Sequence, residues 1–335
     1  MVEYITIGCV ILVSVHWTEQ TSQFISDERI EYINKIAKTW KAERYFPANM
    51  SKEYIMGLLG SRGYKNYLNE VEIKKDDPLY TKNNDTIKHF DAREDWKICK
   101  QIGHVRDQGN CGSCWAFGTT GAFADRLCVA TGGGFNEQLS AEKLTFCCWT
   151  CGLGCQGGNP IKAWKYFKRH GITTGGDYGS NEGCAPYKVP PCYDDQGEFL
   201  CQGKPTEHNH KCPRACYGNS TVENRYKVKS IYVLDSSKTI EQDIRKYGPV
   251  EASFDVYDDF ITYKSGIYQK TPNAFYVGGH SVKLIGWGEE DGIPYWLLVN
   301  SWSKFWGEQG TFRIIKGRNE CGIERSATAG VPSRY

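Results

Sequence analysis

The distribution of cysteine is the feature that most constrains this chain. Its 335 residues include 15 cysteines, which are concentrated between residues 99 and 216, whereas residues 16–98 contain none. A content of about 4.5% is too low for a miniature disulfide scaffold and too high for an ordinary cytosolic enzyme. We therefore expect a crosslinked domain made in an oxidising compartment, preceded by a segment without crosslinks.

Composition and charge narrow the class of protein further. Hydrophobic residues make up 40% and charged residues 24% of the chain, which excludes disorder of the whole chain. The 41 basic residues nearly balance the 39 acidic ones, so no electrostatic argument supports binding to nucleic acid or to an anionic membrane surface. The length fits about two domains, or one two-lobed domain with an additional segment.

The N-terminus resembles a targeting signal. Residues 4–15 form an uncharged apolar run that has the length of a signal-peptide core and is too short to cross a bilayer. We predict a signal peptide at residues 1–17; the alternative is a buried strand at the start of a domain. The sequence contains no run of about 20 apolar residues, so no membrane span is expected. Sequons at Asn49, Asn84 and Asn219 are candidate glycosylation sites.

The cysteine-free stretch contains one helical pattern. Ile30, Ile33, Ala37 and Trp40 are spaced to share one helix face. A polar linker near residues 74–88 follows. This pattern predicts a small appended segment without a core of its own; the alternative is an ordinary N-terminal helix of the main domain.

Further patterns predict a helix in the first half of the main domain and strands in the second half. An apolar stripe at helical spacing predicts a helix at residues 114–128. Alternation of apolar and polar residues over 250–256 predicts a half-buried strand, and the apolar run 295–299 predicts an interior strand.

A cysteine pair opens the predicted helix, in the sequence Cys111-Gly112-Ser113-Cys114-Trp115. Three interpretations compete: a thioredoxin-like redox pair, a structural disulfide or zinc pair, and a nucleophilic Cys114 at the helix N-terminus. The helix N-terminus favours the thiolate over the thiol. Catalysis would still need a base, because only a few per cent of an ordinary thiol is ionised near pH 7.

Groups that could support such a nucleophile occur elsewhere in the chain. His280 follows two glycines, which would let a substrate backbone approach it. Asn300 can hold the imidazole in one tautomer, and Trp302 can shield that hydrogen bond from water. Gln108, six residues before Cys114, can donate to a developing oxyanion.

The cysteine motif resembles a known family. It matches the C-G-[SA]-C-[WY] signature of papain-like cysteine proteases. His280 and Asn300 lie 166 and 186 residues after Cys114, against about 130–150 for that signature, which indicates an insertion of roughly 30 residues within the run 184–216. Three further segments resemble the cathepsin B branch of the family: Cys147-Cys148, Asp91-Ala92-Arg93 and Cys321-Gly322-Ile323-Glu324.

The resemblance implies a fold and a domain organisation. The fold is α+β and papain-like, with a helical left lobe, a β-barrel-like right lobe, an N-terminal pro-segment and a cathepsin B-type occluding-loop insertion. The implied boundaries are an inhibitory propeptide at 18–86, a mature peptidase domain at 87–335 and an occluding loop at about 190–212.

The resemblance also implies roles for single residues. Cys114 is the nucleophile, His280 the general acid/base and Asn300 the residue that orients it, while Gln108 and the Cys114 amide form the oxyanion hole. The thiol and imidazole would form a thiolate–imidazolium pair. The thioredoxin interpretation then loses its support. The substrate-binding positions implied by the family are Gly157, Gly158, Gly279, Trp302 and Ser326.

The disulfide pairing comes from the same resemblance. Cys114 and Cys321 would remain unpaired. A zinc site at Cys148 and Cys151 is an alternative that the oxidising compartment disfavours, so no metal or other cofactor is expected. The implied pairs are Cys99–Cys128, Cys111–Cys155, Cys147–Cys212, Cys148–Cys151, Cys184–Cys216 and Cys192–Cys201.

The inserted loop departs from the family pattern. Asp194 and Asp195 stand where the family has two histidines that bind a substrate's C-terminal carboxylate. Acidic groups repel a carboxylate, so we expect weak or absent dipeptidyl carboxypeptidase activity, with Asp107 facing one of the two acids. His208 and His210, later in the insertion, could substitute for the missing histidines.

A second departure lies at Ser326, which stands where relatives that accept Arg at P2 carry an acid. An uncharged floor cannot pair with a guanidinium, so this position alone favours apolar P2 side chains.

The expected function is that of a cysteine endopeptidase made as a zymogen, in a lysosome or outside the cell, including a digestive lumen. Its expected partners are peptide and protein substrates, its own propeptide and cystatin-type inhibitors, and the expected assembly is a monomer. The alternative is a cathepsin B-like binding protein or decoy that has lost catalysis.

Overall fold

The computed structural model describes residues 25–63, 65, 71–77, 87–212, 215–219 and 223–333. The signal peptide expected at 1–17 and the sequon at Asn84 lie outside these residues. Within them, none of the helices combines the length and the apolar character that crossing a membrane requires.

Nine strands of the described residues form one sheet, in the order β1-β5-β8-β7-β6-β4-β9-β3, with β2 paired to β6. All pairs are antiparallel except β5 with β8. The strands are β1 (Trp40–Ala42), β2 (Phe90–Asp91), β3 (Val228–Leu234), β4 (Val250–Tyr257), β5 (Tyr263–Tyr268), β6 (Tyr276–Glu290), β7 (Ile293–Val299), β8 (Thr311–Ile315) and β9 (Ala327–Pro332).

The helices concentrate in the first half of the chain. The longest, Cys114–Ala130, has fourteen of its seventeen residues buried, because it packs between the other helices and the sheet. The remaining α-helices are Asp27–Ile36, Lys52–Leu58, Ala92–Asp95, Ala141–Cys147, Pro160–Arg169 and Ser237–Tyr247. Short 3₁₀ turns cover Gly154–Gln156, Tyr217–Asn219, Asp258–Thr262 and Glu320–Arg325.

The prediction of a half-buried strand at 250–256 is wrong. The first five residues of β4 are all buried, whichever face they are on. The strand lies between β6 and β9, and its polar positions Glu251 and Ser253 point into a buried hydrogen-bond network instead of into water. The alternation of apolar and polar residues in β4 therefore reflects two buried faces, one apolar and one polar.

The N-terminal segment is only partly helical. The helix Asp27–Ile36 begins with the Ser26 side chain accepting from the Arg29 amide and ends at Ile36. Trp40, expected on the same helix face, lies instead on β1, where it pairs with Gly266 of β5. The helical prediction is thus wrong beyond Ile36.

The segment shares the core of the sheet. Its buried side chains belong to the same apolar cluster as the strands, whereas a second cluster around Trp115, Phe123 and Trp164 fills the helical lobe. The segment contributes ten buried residues to the sheet cluster: Ile25, Ile33, Trp40, Ala42, Phe46, Met50, Tyr54, Ile55, Leu58 and Leu59.

Six disulfide bonds crosslink the described residues, and Cys114 and Cys321 are the cysteines left unbonded among them. The bonded pairs are Cys99–Cys128, Cys111–Cys155, Cys147–Cys212, Cys148–Cys151, Cys184–Cys216 and Cys192–Cys201.

Candidate active site

Cys114 is the first residue of the longest helix and is fully buried. The turn before it is fixed by the Cys111–Cys155 disulfide and by a hydrogen bond from the Gly112 amide to the Cys155 carbonyl, 2.9 Å. A Cβ on Gly112 would lie 2.5 Å from that carbonyl oxygen, so only glycine allows this close approach.

His280 lies on β6 with its ring held from two sides. Its Nε2 is 2.7 Å from the Asn300 Oδ1, and the Trp302 ring lies 4.5 Å away between centroids. The amide oxygen can only accept, so Nε2 carries the hydrogen and Nδ1 is the basic nitrogen. That Nδ1 is buried and has no hydrogen-bond partner among the described residues.

The sulfur and the imidazole belong to one site. The amide of Ser281, which follows His280, hydrogen-bonds to the Cys114 sulfur and lowers its pKa. Burial has the larger effect and raises the pKa of the Cys114 thiol to about 11. Burial also lowers the pKa of His280 to about 4, against the opposing effect of the hydrogen bond that its Nε2 donates to Asn300. Both shifts favour the neutral thiol and the neutral imidazole while the N-terminal segment covers the site.

Gln108 holds its side-chain amide beside the same sulfur-bearing turn. Its Nε2 donates to the Cys111 carbonyl at 2.7 Å and to the carbonyl of Leu58 at 2.9 Å. Its Oε1 accepts from the Ser301 hydroxyl at 2.7 Å, which fixes the amide orientation. The nitrogen expected in the oxyanion hole therefore faces a peptide carbonyl of the N-terminal segment.

The N-terminal segment covers the sulfur like a bound peptide. The Gly60 amide donates to the Cys114 sulfur at 3.2 Å. The Ser61 amide donates to the Gly279 carbonyl at 3.0 Å, and Gly158 hydrogen-bonds on both sides of Ser61. The pairing of Ser61 with Gly158 and of Gly60 with Gly279 is parallel. A peptide thus occupies the cleft and keeps other chains from Cys114.

A family model of papain family cysteine proteases matches residues 86–331. The chain belongs to the papain family of cysteine proteases. A second model, the peptidase family C1 propeptide, matches residues 25–64. The segment over the cleft of this papain-family protein is therefore a propeptide, and the chain is a zymogen.

The relatives of this papain-family zymogen specify the branch. It is 41% identical over 316 residues to "Cathepsin B-like cysteine proteinase 5" of Caenorhabditis elegans, covering 90% of this chain and 89% of the relative. A "Cathepsin B-like cysteine proteinase" of Schistosoma japonicum is 40% identical over 335 residues, covering 94% of both.

A solved structure agrees with these relatives. That of proCathepsin B S9 from Trypanosoma congolense superposes with a TM-score of 0.81 at 30% identity, over 93% of this chain and 100% of that one. The chain is a cathepsin B-like cysteine protease zymogen, so the family and the papain-like fold inferred from the sequence are confirmed.

The acidic residues of the inserted loop satisfy their own turn. The Asp194 carboxylate accepts from the amides of Gln196 at 2.9 Å and Glu198 at 2.8 Å. The expectation that Asp107 faces one of the two loop acids is wrong. The Asp107 carboxylate accepts from the Gly109 amide at 2.7 Å, and burial raises its pKa to about 6. Backbone amides, not acids, are its partners.

The two later histidines of the insertion are committed to carboxylates. His210 Nδ1 lies 3.0 Å from Glu142 Oε1, and the His210 ring packs on Phe146. His208 is largely exposed and pairs with Glu207 at 2.8 Å.

Two features of the site escaped the sequence analysis. Glu251 and Ser253 form a buried hydrogen-bond network in which Ser253 contacts Ser61 of the propeptide, although their alternating pattern predicted a solvent-facing position. An aromatic cluster joins the inserted loop to the propeptide. It could not be predicted because its members lie far apart in the sequence. Its members are Phe46, Tyr54, Tyr193 and Phe199.

Proposed function

We propose that the mature enzyme is a cysteine endopeptidase with Cys114 as nucleophile and His280 as general acid/base. The observation that carries the proposal is the peptide backbone already lying in the cleft. Its Gly60 amide rests on the Cys114 sulfur, while its Leu58 carbonyl accepts from Gln108. A substrate placed there would bring a scissile carbonyl between the sulfur and the oxyanion donor.

The chemistry follows from release of the propeptide. Exposure to water removes the burial that keeps both groups neutral, and the Cys114 proton passes to Nδ1 of His280. The sulfur then bonds to the substrate carbonyl carbon, and the carbonyl π electrons move to the oxygen, which accepts from Gln108 Nε2 and the Cys114 amide.

Breakdown of this intermediate completes the cycle. As the C–N bond breaks, His280 gives its proton to the leaving amine, and a thioester remains on Cys114. His280 next takes a proton from water, the hydroxide attacks the thioester carbonyl, and the carboxylic acid leaves as Cys114 regains a proton. Asn300 holds the ring through both transfers.

Active-site labelling tests this assignment. After acid processing we expect a peptidyl epoxide to label the wild type and the Cys321→Ala control, but not Cys114→Ala processed in trans. The Cys114→Ala variant should lose at least about 10³-fold in kcat/KM. A wild type that fails to label with Cys114 reduced would favour the binding-protein alternative.

We further propose that carboxypeptidase activity is weak. Asp194 and Asp195 carry negative charge at the loop position where a substrate carboxylate would dock, and His210 is occupied by Glu142. Like charges destabilise such docking. His208 already pairs with Glu207 at 2.8 Å.

Paired peptides test the exopeptidase proposal. The processed enzyme should cleave a peptide with a free C-terminus no faster than its amidated twin, as product analysis by mass spectrometry would show. Asp194→His and Asp195→His together should raise the free-acid:amide ratio, and His208→Ala should leave it unchanged. Release of dipeptides from the free acid by the wild type would contradict the proposal.

The domain boundaries belong to the same proposal. The propeptide would span 18–86, the mature enzyme 87–335 and the loop about 190–212, after removal of a signal peptide at 1–17. Matches to a propeptide model at 25–64 and a peptidase model from residue 86 support this division.

Compartment and partners follow from the crosslinks. Six disulfides are typical of the secretory pathway, and we place the mature enzyme in a lysosome or outside the cell, including a digestive lumen. It would act on peptides and proteins as a monomer and bind cystatin-type inhibitors. Asn49, Asn84 and Asn219 remain glycosylation candidates.

A further inference from the structure

Ser61 of the propeptide shows what one pocket of the cleft accepts. The Gly158 amide donates to the Gly60 carbonyl at 2.9 Å, and the Gly158 carbonyl accepts from the Arg62 amide at 2.8 Å. These two bonds fix Ser61 between them, and its side chain is buried at 4% exposure. The contacts of that side chain therefore report the chemistry of the pocket wall.

The side chain of Ser61 meets a hydroxyl acceptor. Its Oγ lies 2.8 Å from the Ser253 Oγ, and the Ser253 Oγ donates to the Glu251 Oε1 at 2.6 Å. A serine hydroxyl has a single hydrogen. When Glu251 is ionised, Ser253 gives its hydrogen to the carboxylate. Ser253 then offers only lone pairs to the cleft, and Ser61 is the donor.

The hydrogen-bond partners of Glu251 keep Ser253 oriented as an acceptor. The Ser281 hydroxyl also donates to Glu251 Oε1, at 2.8 Å, and the Thr328 hydroxyl donates to the other carboxylate oxygen. The Ser326 hydroxyl donates to backbone carbonyls, including that of Gly322 at 3.0 Å. Glu251 and its hydroxyl partners are buried, so the network is rigid and presents an acceptor to the pocket.

The acceptor lies within reach of a short side chain. A hydroxyl one carbon from the backbone already reaches Ser253, so a side chain as short as Ser or Thr can form this hydrogen bond. An apolar side chain of similar size would fit but would leave the Ser253 lone pairs unpaired in a buried place, which is unfavourable.

We propose that the mature enzyme selects a small hydroxyl side chain, Ser or Thr, at the substrate residue that pairs with Gly158. Ser253 is the specificity-determining acceptor, and Glu251 is the positioning residue that orients it. This inference rests on the proposed peptidase function. It replaces the preference for apolar P2 side chains that Ser326 alone had suggested.

Isosteric peptides test the pocket. Thr and Val have nearly the same shape, so peptides that differ only in this residue isolate the hydrogen bond. For the processed wild type we expect kcat/KM to be about 2- to 10-fold higher for the Thr peptide. In Ser253→Ala the ratio should fall to about one, while Ser230→Ala, which removes a hydroxyl from β3, should keep the wild-type ratio.

A binding measurement separates this inference from the proposed function. A synthetic propeptide fragment, residues 52–63, should bind the processed wild type about 2- to 10-fold more tightly than its Ser61→Ala form, and calorimetry detects this without turnover. Equal binding of the two fragments, or a wild-type Thr:Val ratio of one or less, overturns the pocket even where peptides are cleaved. If the processed protein cleaves no peptide but still binds the Ser61 fragment more tightly, the inference about the pocket holds and the proposed peptidase function is wrong.

Discussion

At the scale of single residues, burial decides the protonation states in the cleft. It raises the pKa of Cys114 to about 11, lowers that of His280 to about 4, and raises that of Glu251 to about 7. The first two shifts favour the neutral forms of the proposed catalytic pair while the propeptide is in place. The shift at Glu251 makes the stability of the chain depend on the charge of this buried carboxyl.

Glu251→Gln in an inactive Cys114→Ala background should change the dependence of stability on pH. The folded pKa of Glu251 is about 7 and exceeds that of the unfolded chain, so the carboxyl favours folding below about pH 4.5 and this contribution is lost as the pH rises through 7. Relative to the Gln variant, the free energy of unfolding should fall by about 2–3 kcal/mol between pH 4.5 and 8. Urea titrations at both pH values measure this; parallel pH profiles would contradict it.

At the scale of elements, the propeptide strand fits the cleft because it has no side chain at its tightest point. A Cβ on Gly60 would lie 1.8 Å from the Gly112 carbonyl oxygen. Backbone meets backbone there, and neither atom can move aside as a flexible side chain would. The close approach of the propeptide to the turn before Cys114 therefore requires glycine at this position.

Gly60→Ala should loosen the propeptide. Overpacking of this kind costs about 1–3 kcal/mol, so Cys114 in the unprocessed chain should react about 5- to 100-fold faster with a small thiol reagent at pH 7. The control is Gly57→Ala in the helix Lys52–Leu58, where the added Cβ meets only the Thr206 hydroxyl, at 3.2 Å. Labelling of both variants at the same rate would show that Gly60 does not determine access to Cys114.

Much of the site could be predicted because its chemistry is local in sequence. The helix after Cys114 and the glycines before His280 are short motifs with a fixed meaning. The environment of Glu251 could not be predicted, since a strand pattern shows that two faces differ but not what covers each. The path of the loop acids depends on turn hydrogen bonds, such as those made by Asp194, that no motif reports.

At the scale of the whole molecule, the propeptide and the sheet form one core. The sequence indicated a segment too small for its own core, and the structure agrees, since the buried side chains of the propeptide belong to the apolar cluster of the strands. Trp40 packs against Tyr263 and Tyr268 of β5. Such sharing could not be predicted from the segment alone, because the apolar spacing stays helical through Trp40 whereas the backbone becomes extended after Ile36.

This sharing means that loss of the propeptide removes part of the core of the molecule. Cutting the chain and losing the propeptide strips ten buried side chains from the sheet cluster, and each such side chain contributes about 1.5–3 kcal/mol of burial. The mature enzyme would keep a fold that formed together with the propeptide, which it has since lost. We therefore expect the mature enzyme to refold poorly without the propeptide, so that its working lifetime is set by its unfolding rate and not by an equilibrium.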